Sequence, residues 1–476
     1  MGQIHIVEIV ELIIYLIICI AIGFAYSKKG QSSEEEYWVA GRFLNKTWGA
    51  FAVYAVVGSA STIMGSAGIA YKAGVPTGAA IALGFSLQFP LIAYLTAGPL
   101  LEKNICTLGD FFNDMIGGRH VRWAYSILTL VFMAAYVVPN LKAGGIIGQY
   151  LMGDLYSYST MAVVVGVVIL IYSSLGGMWA VTVTDIIQGV IMVVGVVLLG
   201  CAILFGVGEF GGFGGFAEAA VSAKPVIADL GYPPLTVIGL AFIWGLWGLV
   251  APMTVMRVLT MSNGKSARRS LILGSVFAAG TVLVACLIAM SAATINPELE
   301  NADMAFIVTM EKYFPPVIGG FFIASLFAAI MSSVDSFLLS CGATVARDIY
   351  KGLINPNASE KTVIKIGSIS LWIVGIITII ISTSSLPLIS ILTGWAAGAL
   401  ISAFCAPIVI GLYWKGISRN GVFWSIVVGA GGYIFLNLSK LCPSLSEILF
   451  MVPISGIVCY AVSKASPDKK VAGSVN

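Results

Sequence analysis

The sequence predicts an all-α integral membrane protein, on three observations. Of its 476 residues, 59% are hydrophobic and only 10% are charged, whereas about a quarter of a soluble globular chain is charged. The mean hydropathy is +0.99, so most of the surface must face lipid. The third observation is a succession of apolar runs of about 20 residues, the length that a helix needs to cross a bilayer.

Thirteen apolar segments meet this criterion, and we number them 1–13 along the chain. They lie near 8–27, 47–71, 76–101, 122–151, 158–175, 178–206, 236–261, 268–295, 315–346, 362–383, 386–413, 420–438 and 444–463. Segment 1 carries Glu8 and Glu11 where a signal peptide would be basic, so we interpret it as a retained transmembrane helix. We expect one membrane domain over 1–476, with a core at 47–413. Segment 1 (8–27) and two C-terminal helices (420–463) would be peripheral to it.

The loops between the segments predict the orientation. Lys and Arg number 19 in the loops on one side of the predicted membrane and 4 on the other. Because basic loops stay in the cytoplasm, we expect an external N-terminus and a cytoplasmic C-terminus in the cell or inner membrane. The longest loop, about 207–235, is Gly-rich and is expected to hold a short external surface helix.

Two segments have the composition of a broken helix. The stretches are Ala55-Val-Val-Gly58-Ser59-Ala-Ser61-Thr62 in segment 2 and Trp244-Gly245-Leu-Trp247-Gly248, followed by Pro252, in segment 7. Breaks near the midplane free carbonyls and helix ends that bind ions and substrate, although glycine in a membrane helix also permits close packing. The two segments are five apart, and five is odd. Segments 2–6 and 7–11 therefore predict a five-plus-five inverted repeat.

Two acidic residues stand out well inside predicted spans, Asp185 in segment 6 and Asp335 in segment 9. A charged residue at mid-span costs roughly 2.5–3.5 kcal/mol on insertion scales and normally serves a function. Ser332, Asp335 and Ser336 stand at i, i+3 and i+4 and share one helical face. Their oxygens suit alkali cations, although serine hydroxyls in helices also bond back to the i−4 carbonyl.

Other polar residues in the spans are open to two interpretations. Lys142 follows Pro139 and Asn140 in segment 4, and either extends to the outer surface or faces an anionic substrate. Gln88 lies near the middle of segment 3. Arg257 and Lys72 lie near span ends, where we expect their charges to reach the surface.

Several motifs resemble the sodium/solute symporter family. They are Ile171-Tyr-Ser-Ser-Leu-Gly-Gly-Met-Trp-Ala-Val-Thr-Val-Thr-Asp185-Ile-Ile-Gln188, Ala328-Ala-Ile-Met-Ser332-Ser333 with Arg347-Asp348-Ile-Tyr350, and Gly41-Arg42. The resemblance covers about residues 10–460 and implies the inverted-repeat fold of amino-acid/sodium symporters. It implies a first sodium site formed by backbone carbonyls and hydroxyls of Ala55, Gly58, Ala329, Ser332 and Ser333.

The resemblance also implies a candidate second cation site for sodium or a proton, comprising Asp185, Ser332, Asp335 and Ser336. It implies a substrate pocket comprising Ser59, Ser61, Thr62, Gln88, Asn140, Lys142, Trp244 and Trp247. The family includes carriers of proline, sugars, sialic acid, pantothenate and short monocarboxylates, and no residue selects among them.

We therefore expect a sodium-coupled symporter that imports a small organic solute, with carboxylates among the candidates, by alternating access. We expect no enzymatic activity, no organic cofactor and no nucleic-acid partner, and a monomer that functions in the lipid bilayer. A proton-coupled transporter using Asp335 is the alternative. An intramembrane enzyme is disfavoured because the predicted spans contain no His. A channel is disfavoured because the two acids lie on different helices rather than in a ring.

Overall fold

The computed structural model describes residues 4–103, 105–174, 176–384 and 389–468. Within these ranges the chain is helical, with twenty α-helices joined by short 3-10 and π segments. The helices are α1 Ile6–Gly30, α2 Glu34–Val39, α3 Lys46–Val57, α4 Ser66–Ala73, α5 Val75–Leu91, α6 Ala97–Leu101, α7 Leu108–Phe111, α8 Arg119–Leu151, α9 Tyr158–Ser173, α10 Gly177–Gly206, α11 Phe213–Ala223, α12 Pro234–Val250, α13 Pro252–Leu259, α14 Gly264–Ile295, α15 Ala305–Tyr313, α16 Pro316–Ala343, α17 Glu360–Ser382, α18 Ile389–Tyr413, α19 Arg419–Ser439 and α20 Glu447–Ala465.

Ten of the described helical stretches are long and apolar enough to cross a membrane. Two bent helix pairs bring the number to twelve if each pair is one span. The shorter apolar helix α9 lies where segment 5 was predicted. The all-α membrane architecture is confirmed, and the count of thirteen spans stays a prediction.

The first break follows α3, where the axes of Lys46–Val57 and Thr62–Ala73 differ by 65°. Gly58 ends α3, and a Cβ there would lie 2.6 Å from Met192 Cε and 2.9 Å from the Tyr54 carbonyl oxygen, so a larger side chain would require neighbouring atoms to shift. Thr62 Oγ1 donates to the Val57 carbonyl oxygen (2.7 Å), which has lost its helical partner. The helix predicted to break in segment 2 is therefore broken.

The second break separates α12 from α13, with a bend of 46°. Pro252 has no N–H to continue the helical hydrogen bonds. Ala251 before it adopts φ −66° and ψ 112°, the extended backbone that proline imposes on the preceding residue. All eight residues of α13 are buried, so the chain turns into the protein after the break. This confirms the predicted break in segment 7.

Helix α16 is the most enclosed of the long apolar helices, and every residue from Phe322 to Ala343 is buried. Helices α3, α8, α10 and α17 pack around it, and α1 packs on both α16 and α10. Helices α19 and α20 pack on each other and on α18. The predicted short helix in the 207–235 loop is α11. This arrangement places the first break beside the middle of α16.

Candidate functional site

The residues of the predicted first sodium site come from the end of α3 and the middle of α16. Ser332 Oγ donates to the Ala55 carbonyl oxygen (2.9 Å) and lies 3.3 Å from the Ala329 carbonyl oxygen. Ser333 Oγ lies 3.4 Å from the next carbonyl along α3, that of Val56. Gly58 lies at the break itself. The structure thus brings hydroxyl and carbonyl oxygens of two helices together.

These oxygens suit a monovalent cation. The last carbonyls of a helix have no helical partner, and they carry the negative end of the helix dipole. Transporters use such unwound carbonyls to coordinate sodium. Ser332 and Ser333 are fully buried, so a cation that replaced their present hydrogen bonds would be shielded from water.

Arg257 is placed differently from its prediction. We expected its charge at the surface, but the residue is 1% exposed. Its guanidinium donates to Asp185 and Thr182, and lies 3.3 Å from Ser336 Oγ. The physical reason is the second break, which turns α13 inward towards α10 and α16. Sequence reasoning missed this because a charge near a span end normally extends outwards.

Two of the four residues predicted for a second cation site therefore bond a cationic side chain. Asp185 is fully buried and holds the guanidinium of Arg257. Asp335, next to Ser336 on α16, is also fully buried. The two carboxylates that the sequence singled out are thus both in the interior, and Arg257 joins the α10 carboxylate to the α16 hydroxyl.

The predicted substrate residues lie where α5, α8 and α12 meet. On α5, Phe85 stacks on Trp244 with centroids 4.7 Å apart. One turn later, Gln88 Oε1 lies 3.1 Å from the position that a Cβ of Gly248 would take, so the amide packs against helix backbone. On the other side, Trp247 stacks on Tyr136 of α8 at 5.0 Å.

Several polar atoms of this region are buried without a hydrogen bond among the described residues. They are both amide atoms of Gln88, Asn140 Oδ1 and Trp244 Nε1. An unsatisfied buried polar atom costs about 1–3 kcal/mol, so each needs an explanation. Gln88 offers both a donor and an acceptor, Trp244 a donor and Asn140 an acceptor, and a small solute with both kinds of group could bond to them.

The remaining predicted substrate residues belong to the first break. Thr62 is committed to the Val57 carbonyl, and its hydroxyl lies 3.5 Å from Ser59 Oγ. Both residues are buried. The side chain of Ser61 lies outside the described part of the chain.

Lys142 is buried and ion-paired. Its Nζ lies 3.0 Å from Asp303 Oδ2, with side-chain exposures of 11% and 1%. Asp303 belongs to the turn Ala302–Met304, and a Cβ on Gly68 of α4 would lie 3.0 Å from its Oδ1. Burial raises the pKa of Asp303, although the Lys142 ammonium lowers it. The pair joins α8 to the turn that lies over α4, and Asp303 was not found from the sequence because it stands in a short polar loop.

A second group of charges lies at the opposite end of the molecule. We call Glu34, Asp110, Arg347 and Lys351 the Glu34 cluster. Arg347 bonds Glu34 at 2.5 Å and Asp110 at 3.1 Å, and Lys351 also bonds Glu34 at 2.5 Å. The cluster joins α2, α7 and the 344–354 segment that continues α16. In the sequence Arg347 stands in a motif that resembles the family, but no pattern predicted that it would pair with Glu34 and Asp110.

Solved structures share this fold. A sodium-coupled sialic acid symporter in a substrate-bound, outward-open state matches with a TM-score of 0.79, at 20% identity over 98% of this chain and 99% of that one. MhsT in complex with L-phenylalanine matches with a TM-score of 0.54, at 13% identity over 87% of this chain and 97% of that one. The inverted-repeat transporter fold is therefore confirmed.

Relatives identified by sequence are symporters, and the similarity covers more than nine tenths of their length. A sodium/proline symporter 2 of Staphylococcus saprophyticus is 28% identical over 96% of this chain and 92% of its own. A sodium/proline symporter of Staphylococcus aureus is 28% identical over 95% of this chain and 91% of its own. The model of the sodium:solute symporter family matches residues 37–429. The chain belongs to the sodium/solute symporter family and is a multi-pass membrane transporter rather than an enzyme.

Proposed function

We propose that this protein imports a small organic solute together with sodium by alternating access. The observation that carries the ion assignment is the Ser332 hydroxyl, which lies between the carbonyls of Ala55 and Ala329 across two helices. Sodium would take these oxygens with Ser333 and the Gly58 carbonyl, and would tie the end of α3 to α16. Releasing it would loosen the same contact.

The orphaned polar atoms support a solute with both a carboxylate and a donor group. The Trp244 indole N–H and the Gln88 amide N–H can donate to a carboxylate, while Asn140 Oδ1 and Gln88 Oε1 can accept from an amine. Lys142 already has Asp303 as its counter-charge, which favours a solute of zero net charge. The relatives named sodium/proline symporters make proline the first solute to test, before a monocarboxylate, pantothenate or sialic acid.

We further propose that one sodium ion accompanies each solute. Arg257 bonds Asp185 and Ser336. Its guanidinium therefore occupies the oxygens that a second sodium ion would need as ligands. At 100 mV one inward charge gains about 2.3 kcal/mol, which corresponds to roughly fifty-fold accumulation of a neutral solute.

The positive-inside pattern of the loops supports an outward-facing Asp303 end and a cytoplasmic Glu34 cluster.

The ion site is tested by sodium-driven uptake of radiolabelled proline in proteoliposomes. Ser332→Ala should raise the sodium concentration for half-maximal uptake at least tenfold. Ser340→Ala is the matched control, since it lies two turns further along α16 and its Oγ already bonds the Ser336 carbonyl oxygen at 2.8 Å. Equal effects of the two variants would refute the site.

The solute pocket is tested separately by Gln88→Met, which keeps the size of the side chain. Because no described residue forms a hydrogen bond with this buried amide, its removal should leave the melting temperature unchanged or higher. Solute binding should nevertheless fall strongly, as read by thermal shift with a panel of proline, lactate, pantothenate and sialic acid in sodium and in choline. A variant that melts lower and still binds would assign Gln88 to the core.

Proton coupling through Asp335 is the second candidate. It is favoured by one observation, namely that α16 carries a fully buried carboxylate, Asp335, next in sequence to Ser336, which Arg257 contacts. Uptake in choline that depends on a pH gradient, and that Asp335→Asn abolishes, would replace sodium by the proton.

A further inference from the structure

A basic cavity of about 610 Å³ lies away from the ion and solute sites, where α14 begins beside α6. The residues that line it are Ala93, Gly98, Asn263, Gly264, Lys265, Arg268 and Arg269. Three of the seven residues are cationic and none is acidic. By the charge pattern of the loops, this end of α14 is expected at the cytoplasmic surface of the membrane.

Two glycines form the hollow. A Cβ on Gly98 would meet no atom within 4 Å outside its own chain neighbours, and a Cβ on Gly264 would meet only the Gly98 Cα at 3.8 Å. Neither glycine is therefore required for close packing between α6 and α14. Their missing side chains leave room for a group that enters from outside.

The three cations of this cavity are not ion-paired within the described part of the chain. Among the described residues, no carboxylate lies within ion-pair distance of Lys265, Arg268 or Arg269, whereas Lys142, Arg257 and Arg347 are all paired. The Arg268 guanidinium instead lies over the ring of Tyr94, 4.7 Å from its centroid. That contact holds the guanidinium in place and leaves its charge available to an anion.

Apolar side chains continue from the cavity along α14. Arg268, Ile272 and Val276 stand at i, i+4 and i+8 and share one face of the helix. Ile272 is 39% exposed, Val276 is 63% exposed, and Tyr94 is 59% exposed. A cationic end that passes directly into an exposed apolar face matches a molecule with an anionic head and an apolar tail, whereas a free anion would use only the head.

We propose that this cavity binds the headgroup phosphate of an anionic phospholipid, with the acyl chains along Ile272 and Val276. Basic pockets between helices on the cytoplasmic side of a membrane hold such headgroups. Arg268 and Arg269 would contact the phosphate, since one guanidinium group can donate two parallel hydrogen bonds to phosphate oxygens. Lys265 would add charge at the rim.

The test is native mass spectrometry of the whole protein in detergent, titrated with phosphatidylglycerol or phosphatidylcholine. We expect phosphatidylglycerol to reach a given occupancy at roughly one tenth or less of the concentration that phosphatidylcholine needs. The reason is that each basic residue near the surface adds attraction for an anionic headgroup. Gly264→Leu should fill the cavity, keep all three charges and abolish this preference. Gly280→Leu, on the same helix with nothing within 4 Å of its Cβ, should keep it.

Charge is tested by Arg268→Gln with Arg269→Gln, which should also abolish the preference. Lys361→Gln with Lys365→Gln removes two charges from another exposed helix start and should leave the preference intact. Equal losses in the two pairs would indicate diffuse attraction and overturn the site, as would full binding by Gly264→Leu. Displacement of the lipid by inorganic phosphate at an equal concentration would make the ligand a free anion and overturn the lipid assignment.

Discussion

At the Asp303 end of the molecule one buried ion pair joins α8 to the turn over α4, whereas at the opposite end four charged side chains join three elements. The Lys142–Asp303 pair has side-chain exposures of 11% and 1%. Both ends are joined by charge pairs, but in the Glu34 cluster Arg347 and Glu34 each have two oppositely charged partners.

This difference matters for the alternating access proposed above, which requires each end of the protein to open in turn. A single desolvated pair has no substitute, because a charge that loses its partner in the interior stays unpaired. In the Glu34 cluster the loss of one cation leaves a second on Glu34. We therefore expect the Asp303 end to respond sharply to single substitutions and the Glu34 cluster to respond in steps.

The largest effect is expected for Lys142→Met. It leaves the Asp303 carboxylate buried without its ammonium, and breaking a buried pair from one side costs on the order of 3–5 kcal/mol. The closed form of this end should be destabilised, and hydrogen exchange over α15, which follows the Asp303 turn, should quicken accordingly.

The double variant Lys142→Met with Asp303→Asn is the control, since it removes the stranded charge. Its exchange should return most of the way to the wild-type rate. Lys312→Ala, whose 3.9 Å pair with Glu209 is exposed on both sides, should change nothing measurable. If Lys142→Met behaved like Lys312→Ala, the pair would not be what closes this end.

The second effect is expected for Arg347→Ala, which removes the cation from Asp110 and leaves Lys351 on Glu34. Asp110 keeps the backbone N–H groups of Cys106 and Thr107 as hydrogen-bond donors. The cost should be about 1.5–3 kcal/mol, the range for hydrogen bonds to charged groups. Cys106 is a native reporter, since it is 9% exposed and lines a cavity with Glu34 and Arg347. Burial raises the pKa of its thiol, so alkylation, read at the Cys106 peptide, should be slow in the wild type and faster in the variant.

Redundancy in the cluster gives a sharper form of this prediction. Adding Lys351→Ala to Arg347→Ala should quicken Cys106 alkylation by more than the two single changes combined, because Glu34 then loses both cations. Additive effects would show that the two cations act independently and that the cluster is no more redundant than the single pair.

Much of the fold could be predicted because the signals for it are local. Gly58 and Pro252 break helices through their own backbone chemistry, and spans are read from apolar length alone. The first sodium site also followed from family motifs, and the structure brings Ser332 within hydrogen-bond distance of Ala55 and Ala329. Whether sodium binds there stays a prediction.

The charge pairings could not be predicted because they depend on distant contacts. Arg257 meets Asp185 72 positions away in sequence, through a bend whose angle no local pattern gives. Lys142 meets Asp303 161 positions away. A sequence shows that a charge stands in a span, but the packing of broken helices decides which partner it has.

The pH dependence of the Asp303 end is the third prediction. Burial raises the pKa of Asp303 in the closed form, with Lys142 and Lys72 acting against it. In the open form, contact with water should return the pKa of Asp303 to its ordinary value. The closed form therefore binds the proton more tightly, and acidification from pH 7 should favour closure by up to about 1.4 kcal/mol for each unit of difference between the two pKa values.

The measurement is hydrogen exchange over α15 in the wild type relative to Asp303→Asn at each pH, a ratio that cancels intrinsic exchange. The ratio should fall as the pH is lowered and should level off once Asp303 is protonated in both forms. A ratio that rises on acidification would contradict this prediction. It would mean that the attraction of Lys142 outweighs the effect of burial on the pKa of Asp303.

The smallest effect is expected for Lys351→Ala alone. Its side chain is 33% exposed, and partly exposed pairs contribute about 0–1 kcal/mol because solvent screens them. Arg347 still holds Glu34 at 2.5 Å, so the carboxylate is not stranded. Cys106 alkylation should stay within about twofold of the wild type. An effect as large as that of Arg347→Ala would mean that Glu34 needs both cations at once, and the two ends would then depend equally on single contacts.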